Sequence, residues 1–316
     1  MLNCDAKILR LQDGTCLAIT TDSVMEEIAG GVYTDPYLIG WMTVMTTMSD
    51  LASVGAIPIG IMIMQSIPSD YPEEKLKLIN NGIKEACRES GTFVLGGDMN
   101  RASELQLKAV AIGSFEDKKR VSPLDCQEND LLLISNPMGS GMGFALTQLF
   151  YKQYLMSYKP TCDLARGQLI RKYASSCIDT SNGFFPALCS LIESNNLGFR
   201  IHREFSDFVD YGVKDLAQKV NLPDWFFLAG PHGEYELAFT LPPSLLDEFM
   251  EKALELDWEP SVIGSVIKNP EIKCTVNGTI VHIDKYCLPK TIIESEGIAY
   301  INSHSLLKLN QTWVLQ

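Results

Sequence analysis

The chain has 316 residues, is 46% hydrophobic and 21% charged, and carries a formal net charge of −13. That composition excludes a disordered chain and leaves room for about two domains with real cores. The acidic balance argues against general nucleic-acid binding, which needs clustered Lys and Arg, but not against a nucleotide held through metal ions.

The first elements are two short strands, "AKILRLQ" and "CLAITTD", joined at an Asp13-Gly14 turn. "DPYLIGWMTVMTTMSDLASVGA" reads as a helix that starts at Asp35-Pro36 and stops at Gly55. Leu38, Trp41, Met45, Met48 and Ala52 repeat at helical spacing along it, as core residues do. "IGIMIMQSI" reads as a buried strand, residues 73–89 as an amphipathic helix, and "TFVLGGD" and "LQLKAVAIGSF" as strands. The polar stretch "EDKKRVSPLDCQEND" marks a boundary, giving domains at 1–120 and 121–316. In the second, "NDLLLIS" is a strand followed by the turn "NPMGSGMG" and a helix from about 143. Helices are expected near 162–176, 184–194 and 211–220, with strands at "FRI", "YELAFTL" and "SVIGSVI". The tail after about 289 has no clear assignment. The pattern is α/β, of the α+β kind.

Nine cysteines occur without a CxxC pair, which fits reduced thiols in a cytoplasmic protein better than a zinc site. "MLNCDAKILR" has no signal-peptide core, and no apolar run reaches the ~20 residues of a membrane span. The four His are scattered, and no GxSxG elbow exists.

Isolated carboxylates carry the chemistry. Asp5 precedes the first strand, Asp22 ends the second, Asp98 ends "LGGD", and Asp179 ends a run in the second half. Each alone is an ordinary turn or cap residue. Asp50 is different: it sits inside a helix among apolar neighbours and needs a partner if it faces inward. Converging acids repel one another, and a divalent cation shared with phosphate relieves that repulsion. Gly96-Gly97 before Asp98 would let backbone amides approach a phosphate, and "NPMGSGMG" offers a second glycine-rich candidate cradle. It lacks the Gly-Lys-Ser/Thr of a Walker loop.

"TTD", "GWMTVMTTMSDLASVGAIP", "GGDMNR", "IDTSNG" and "EYELAFTLPP" together resemble thiamine-monophosphate kinase, over about residues 3–268. That family is similar to aminoimidazole ribonucleotide synthetase, selenophosphate synthetase and a hydrogenase maturation factor. The resemblance implies a two-domain fold of this superfamily and a homodimer whose N-terminal domains pair into a barrel. ATP and Mg²⁺ would lie near that interface. It implies metal ligands at Asp5, Thr20, Thr21, Asp22, Asp50, Asp98, Asp179 and, in place of a carboxylate, Asn182. It implies nucleotide contacts at Gly96, Gly97, Asp98 and Ser181. No catalytic base is nominated.

The departures from the family pattern are uneven. Cys4 and Gly233 stand where the family has acids, and Ala29 where it has a substrate-side His. An arginine before the second domain has only the out-of-register Arg120, and the relatives carry a longer N-terminal segment. The metal and ATP positions are mostly kept, and the thiamine-phosphate positions are mostly lost. The expectation is an ATP- and Mg²⁺-dependent phosphotransferase acting on a small-molecule acceptor. Two alternatives stand: an ATP-using enzyme closer to aminoimidazole ribonucleotide synthetase, and a non-catalytic nucleotide-binding or scaffold relative.

Overall fold

The computed structural model describes residues 5–116, 121–276 and 279–283. Cys4, Arg120 and the tail after about residue 289 lie outside the described residues. The described chain forms two compact units. Among the described residues, one holds 5–116 together with Lys159–Lys172; the other holds Val121–Tyr158 and those from Tyr173 to Ile283.

The first unit is built on a five-stranded sheet in the order β1-β2-β5-β3-β4. Its strands are β1 (Lys7–Arg10), β2 (Cys16–Ser23), β3 (Ile57–Pro68), β4 (Val94–Ala102) and β5 (Gln106–Ser114). All pairings are antiparallel except β3 with β4, which leaves β4 on an edge. A short helix α1 (Met25–Ala29) follows β2. The long helices are α2 (Pro36–Ser53) and α3 (Glu73–Glu89).

Helix α2 starts where Asp35-Pro36 predicts, and the Asp35 carboxylate accepts from Tyr37 N at 3.0 Å. Periodicity gives this helix one apolar face, yet only Pro36, Tyr37 and Asp50 escape full burial. Thr43 and Thr47 tolerate this because their hydroxyls donate back to Ile39 O and Val44 O. Glycines let α3 approach: a Cβ on Gly40 would lie 1.9 Å from Ile79 O, and one on Gly82 2.1 Å from Tyr37 O. Residues 159–172 follow the boundary in sequence but pack with this unit. Trp41 Nε1 donates to Pro160 O at 2.8 Å and Cys162 Sγ to Met45 O at 3.3 Å. Helix α5 (Leu164–Tyr173) then sets Gly167 so close that a Cβ would lie 2.3 Å from Ala52 O.

The second unit carries a seven-stranded sheet, β12-β11-β8-β10-β6-β9-β7. Its strands are β6 (Leu131–Ile134), β7 (Ser176–Asp179), β8 (Gly198–Ile201), β9 (Leu237–Leu241), β10 (Ser261–Ile267), β11 (Ile272–Val276) and β12 (Thr279–Ile283). Only β8 with β11 is parallel. Helices α4 (Ser140–Leu149), α6 (Phe184–Asn195), α7 (Tyr211–Val220) and α8 (Leu246–Leu254) complete it. An aromatic-rich core including Phe184, Phe185, Phe199, Phe205 and Phe208 is fully buried, at about 1.5–3 kcal/mol for each such ring. The architecture is mixed α/β with two sheets.

Five of the seven cysteines among the described residues are buried. No described helix is long and apolar enough to cross a membrane.

Candidate metal and nucleotide site

Strand alternation places the first acids. Ala18 and Thr20 are buried on one side of β2, and Asp22 follows on that side two residues later. Helix α2 packs against β2, and the strand supplies the partner that Asp50 needs: Thr20 Oγ1 donates to Asp50 Oδ2. Asp5, just ahead of β1, offers a carboxylate oxygen within 4.8 Å of one from Asp50. Thr21 is exposed on the opposite face of β2, so its side chain does not share the side of Thr20 and Asp22. Two like charges so close repel each other, and a cation between them relieves that repulsion. An oxygen-only donor set fits a hard cation such as Mg²⁺.

A further acid escaped the sequence reading. Glu27, on α1, has a buried Oε2 with no hydrogen-bond partner. Burial chiefly, with repulsion from Asp22 and Glu26 adding, pushes its carboxyl up to about 7. The only signal for it in the sequence is the "MEE" directly after "TTDSV".

Asp98 departs from its expected place. It lies in the middle of β4, because pairing with β3 continues from Gly96 opposite Met62 to Ala102 opposite Pro68. Its exposed carboxylate accepts from Asn100 Nδ2 at 2.6 Å and from Met99 N at 3.0 Å. Gly96 and Gly97 are therefore strand residues and not a loop. A Cβ on Gly97 would lie 1.8 Å from Ile63 O, whereas Gly96 faces open space. Beside them, β4, β3 and α3 enclose a cavity of about 300 Å³.

In the second unit, Asp179 ends β7 and is 5% exposed. Its Oδ1 accepts from Ser181 Oγ at 2.8 Å and Ser181 N at 3.3 Å, tying two of the expected site residues together. Asn182 is exposed beside them. The 179–183 turn is closed against the 230–236 segment: Gly233 N donates to Ser181 O and Thr180 N to Glu236 O, both at 2.8 Å. Glu236 accepts from Ser135 Oγ and from Asn136 Nδ2.

The glycine-rich turn "NPMGSGMG" is not an open phosphate cradle. Gly139 N, at the start of α4, donates at 2.8 Å to Glu234 Oε2, so the chain's own carboxylate occupies that helix N-terminus. Gly141 packs so tightly that a Cβ would lie 1.9 Å from Gly233 O. Glu234 is 4% exposed, and burial pushes its carboxyl up to about 7. His232 beside it is 3% exposed, and burial lowers its imidazole to about 4, keeping it neutral.

This buried acid makes stability depend on pH. The folded-state value lies above the unfolded 4.5, so the fold favours the protonated carboxyl. Its contribution is complete below about pH 4.5 and is lost as pH rises through about 7. The difference corresponds to on the order of 3 kcal/mol. Glu234→Gln keeps an oxygen for Gly139 N and removes the charge. Urea unfolding at pH 8 is expected to show the variant more stable than the parent, with the gap closing near pH 4.5. A variant destabilised equally at both pH values contradicts this account.

Residues 3–115, most of the first unit, match the family model described as AIR synthase related protein, N-terminal domain. Over most of its length the chain is similar to thiamine-monophosphate kinases. It is 27% identical to the Methanocaldococcus jannaschii enzyme over 252 residues, 75% of this chain and 78% of the relative. It is 23% identical to that of Haemophilus influenzae over 278 residues, 83% of this chain and 81% of the relative. Among solved structures, AaThiL complexed with AMPPCP and TMP superposes with a TM-score of 0.72 at 18% identity, covering 87% of each chain. The E. coli hydrogenase maturation protein HypE gives 0.72 at 19% identity, covering 86% of each. The chain resembles the thiamine-monophosphate kinases and shares their fold with HypE.

Proposed function

We propose that this protein is an ATP- and Mg²⁺-dependent phosphotransferase of the thiamine-monophosphate kinase type, with an acceptor changed from thiamine phosphate. The observation that carries this reading is the Thr20–Asp50 hydrogen bond with Asp5 alongside, an oxygen-only carboxylate cluster in the unit that matches the AIR synthase related domain. The named relatives bear the kinase name, and one solved neighbour holds AMPPCP and TMP.

Asp5, Asp22 and Asp50 are the proposed metal ligands, with Thr20 orienting Asp50. Asp98, Thr21, Asp179 and Asn182 are further ligands on the resemblance, and Gly96, Gly97 and Ser181 nucleotide contacts. When bound, the cation offsets phosphate charge during in-line γ-phosphoryl transfer. The chain's part is to position the reactants. No general base is assigned, since an acceptor phosphate is nucleophilic without one. The acceptor is a different small molecule because Ala29 replaces the substrate-side His and Glu27 adds an acid beside Asp22.

The chain also acts as a cytoplasmic homodimer in this reading. Met62 and Met64 on β3, with Leu95 packed over Gly60 on the same side, are 46–47% exposed, an apolar patch that a second copy would cover. Light scattering that returns a monomer mass contradicts the dimer.

The enzyme reading is tested by ADP formation from ATP with Mg²⁺, with and without thiamine monophosphate. Turnover is expected to be weak or absent with thiamine monophosphate and to appear with another phosphorylated acceptor. A nucleotide-binding relative without transfer is the second reading, favoured by the uncharged Asn182 and by Gly233 in place of an acid. Tight ATP binding with no acceptor turned over in a screen of phosphate monoesters selects it.

A further inference from the structure

A cavity of about 410 Å³ opens in the second unit where α8 meets the start of β10. Its size falls within the ~300–1,000 Å³ of small-molecule sites. None of the residues assigned to metal or nucleotide lines it. Its walls combine apolar side chains with one cation and one anion, supplied by different elements. Met250 and Leu254 come from α8, Trp258, Glu259 and Pro260 from the link to β10, and Arg203 from the turn after β8.

The apolar part offers contact surface and no hydrogen bonds. Trp258 is 3% exposed, and its Nε1 is committed to Ser135 O at 2.7 Å, so the indole brings only ring surface. Pro260 has no N–H to give. Leu254 is 56% exposed beside them, apolar area left to solvent.

The two charges do not pair with each other, although both residues line the same cavity. Among the described residues the Arg203 side chain makes one hydrogen bond: Nε donates to Val262 O at 3.0 Å. Val262 is itself part of the cavity wall, so that bond pins the guanidinium stem there and leaves both Nη groups without a protein partner. The Glu259 side chain is exposed and has no hydrogen-bond or ion-pair partner among the described residues.

A simple anion would be repelled by Glu259 and a simple cation by Arg203, whereas a small zwitterion is attracted by both. We propose that this cavity binds a free α-amino acid with an apolar side chain. Its carboxylate meets Arg203, its ammonium meets Glu259, and its side chain covers Leu254, Met250 and Trp258. A planar guanidinium suits a carboxylate, since two parallel N–H groups meet two oxygens. An ammonium brings three donors to an acceptor-only carboxylate. Both charges of an α-amino acid sit next to one carbon, so the side chain leaves that carbon toward the apolar wall.

The test is calorimetric titration of the full chain with leucine, leucinamide and 4-methylpentanoate, each to about 10 mM. Leucinamide lacks the carboxylate and 4-methylpentanoate lacks the amino group. The parent protein is expected to bind leucine saturably and each analogue at least about tenfold more weakly. Arg203→Gln is expected to bring leucine and leucinamide within about threefold of each other, and Glu259→Gln to do the same for leucine and 4-methylpentanoate. Both side chains are exposed, so neither change is expected to disturb the fold. No binding of leucine, nor of methionine or phenylalanine at the same concentration, overturns the proposal. Equal binding of leucine and 4-methylpentanoate by the parent overturns it as well, and marks a site for anions only. A preference that survives both substitutions also overturns it, because leucine then sits elsewhere.

Discussion

Replacing Asp50 with asparagine is expected to lower the affinity for ATP in the presence of Mg²⁺ by about a hundredfold while leaving the fold intact. Asparagine keeps an oxygen to accept from Thr20 Oγ1, so the α2–β2 contact stands. What disappears is one negative charge from a pair whose oxygens lie within 4.8 Å. Altering even a group that supports a metal ligand costs roughly 10–100-fold in metal affinity, and the ligand's own charge should cost no less. The sign of the stability change separates this account from a purely structural one. In chelator no cation separates the like charges of Asp5 and Asp50, so Asp50→Asn should melt at the same temperature as the parent or higher. A structural acid would leave the variant less stable with or without metal. A variant that binds ATP·Mg²⁺ within about threefold of the parent shows that Asp50 is not a ligand.

Gly233→Ala is expected to have the largest effect on folding. A Cβ at this position would stand 1.5 Å from Thr180 O and 2.7 Å from Gly183 N, both backbone atoms of a turn that cannot yield without breaking Gly233 N to Ser181 O. Relief requires the 179–183 and 230–236 segments to separate, which also disturbs Asp179, Ser181 and the Glu234 contact to Gly139. A cost above about 4 kcal/mol is expected, enough to abolish soluble, cooperative folding of the second unit. Gly96→Ala is the control: open space surrounds that position, and stability should stay within about 0.5 kcal/mol. If Gly233→Ala unfolds at the parent's urea midpoint, the close approach is not as described. The same geometry shows that no side chain at 233 fits the observed backbone.

The residues differ in how far the sequence alone reveals them. Asp50 stands out because an acid inside an apolar helix conflicts with helix propensity and burial at once, and that conflict survives in the structure as the Thr20 hydrogen bond. The limits of α2 are readable because Asp35-Pro36 is a local signal and its cap is a local hydrogen bond. Asp98 reads as a strand end because "GGD" resembles punctuation. Only the register with β3, a contact between residues some 35 apart in sequence, carries the strand through to Ala102. The "NPMGSGMG" turn misleads for the same reason, since the carboxylate filling its helix N-terminus comes from Glu234, 95 residues away. Gln65 looks like one polar residue in an apolar strand. Periodicity says which face it takes, but not that its neighbour on α3 satisfies only one end of its amide.

The measurement that bears most directly on the central claim is calorimetric titration of the protein with ATP, with Mg²⁺ and again in chelator. The account predicts saturable binding in the micromolar to submillimolar range with Mg²⁺, and loss of most of that affinity in chelator and in Asp50→Asn. No binding at millimolar ATP with Mg²⁺, or binding indifferent to both the cation and Asp50, contradicts it.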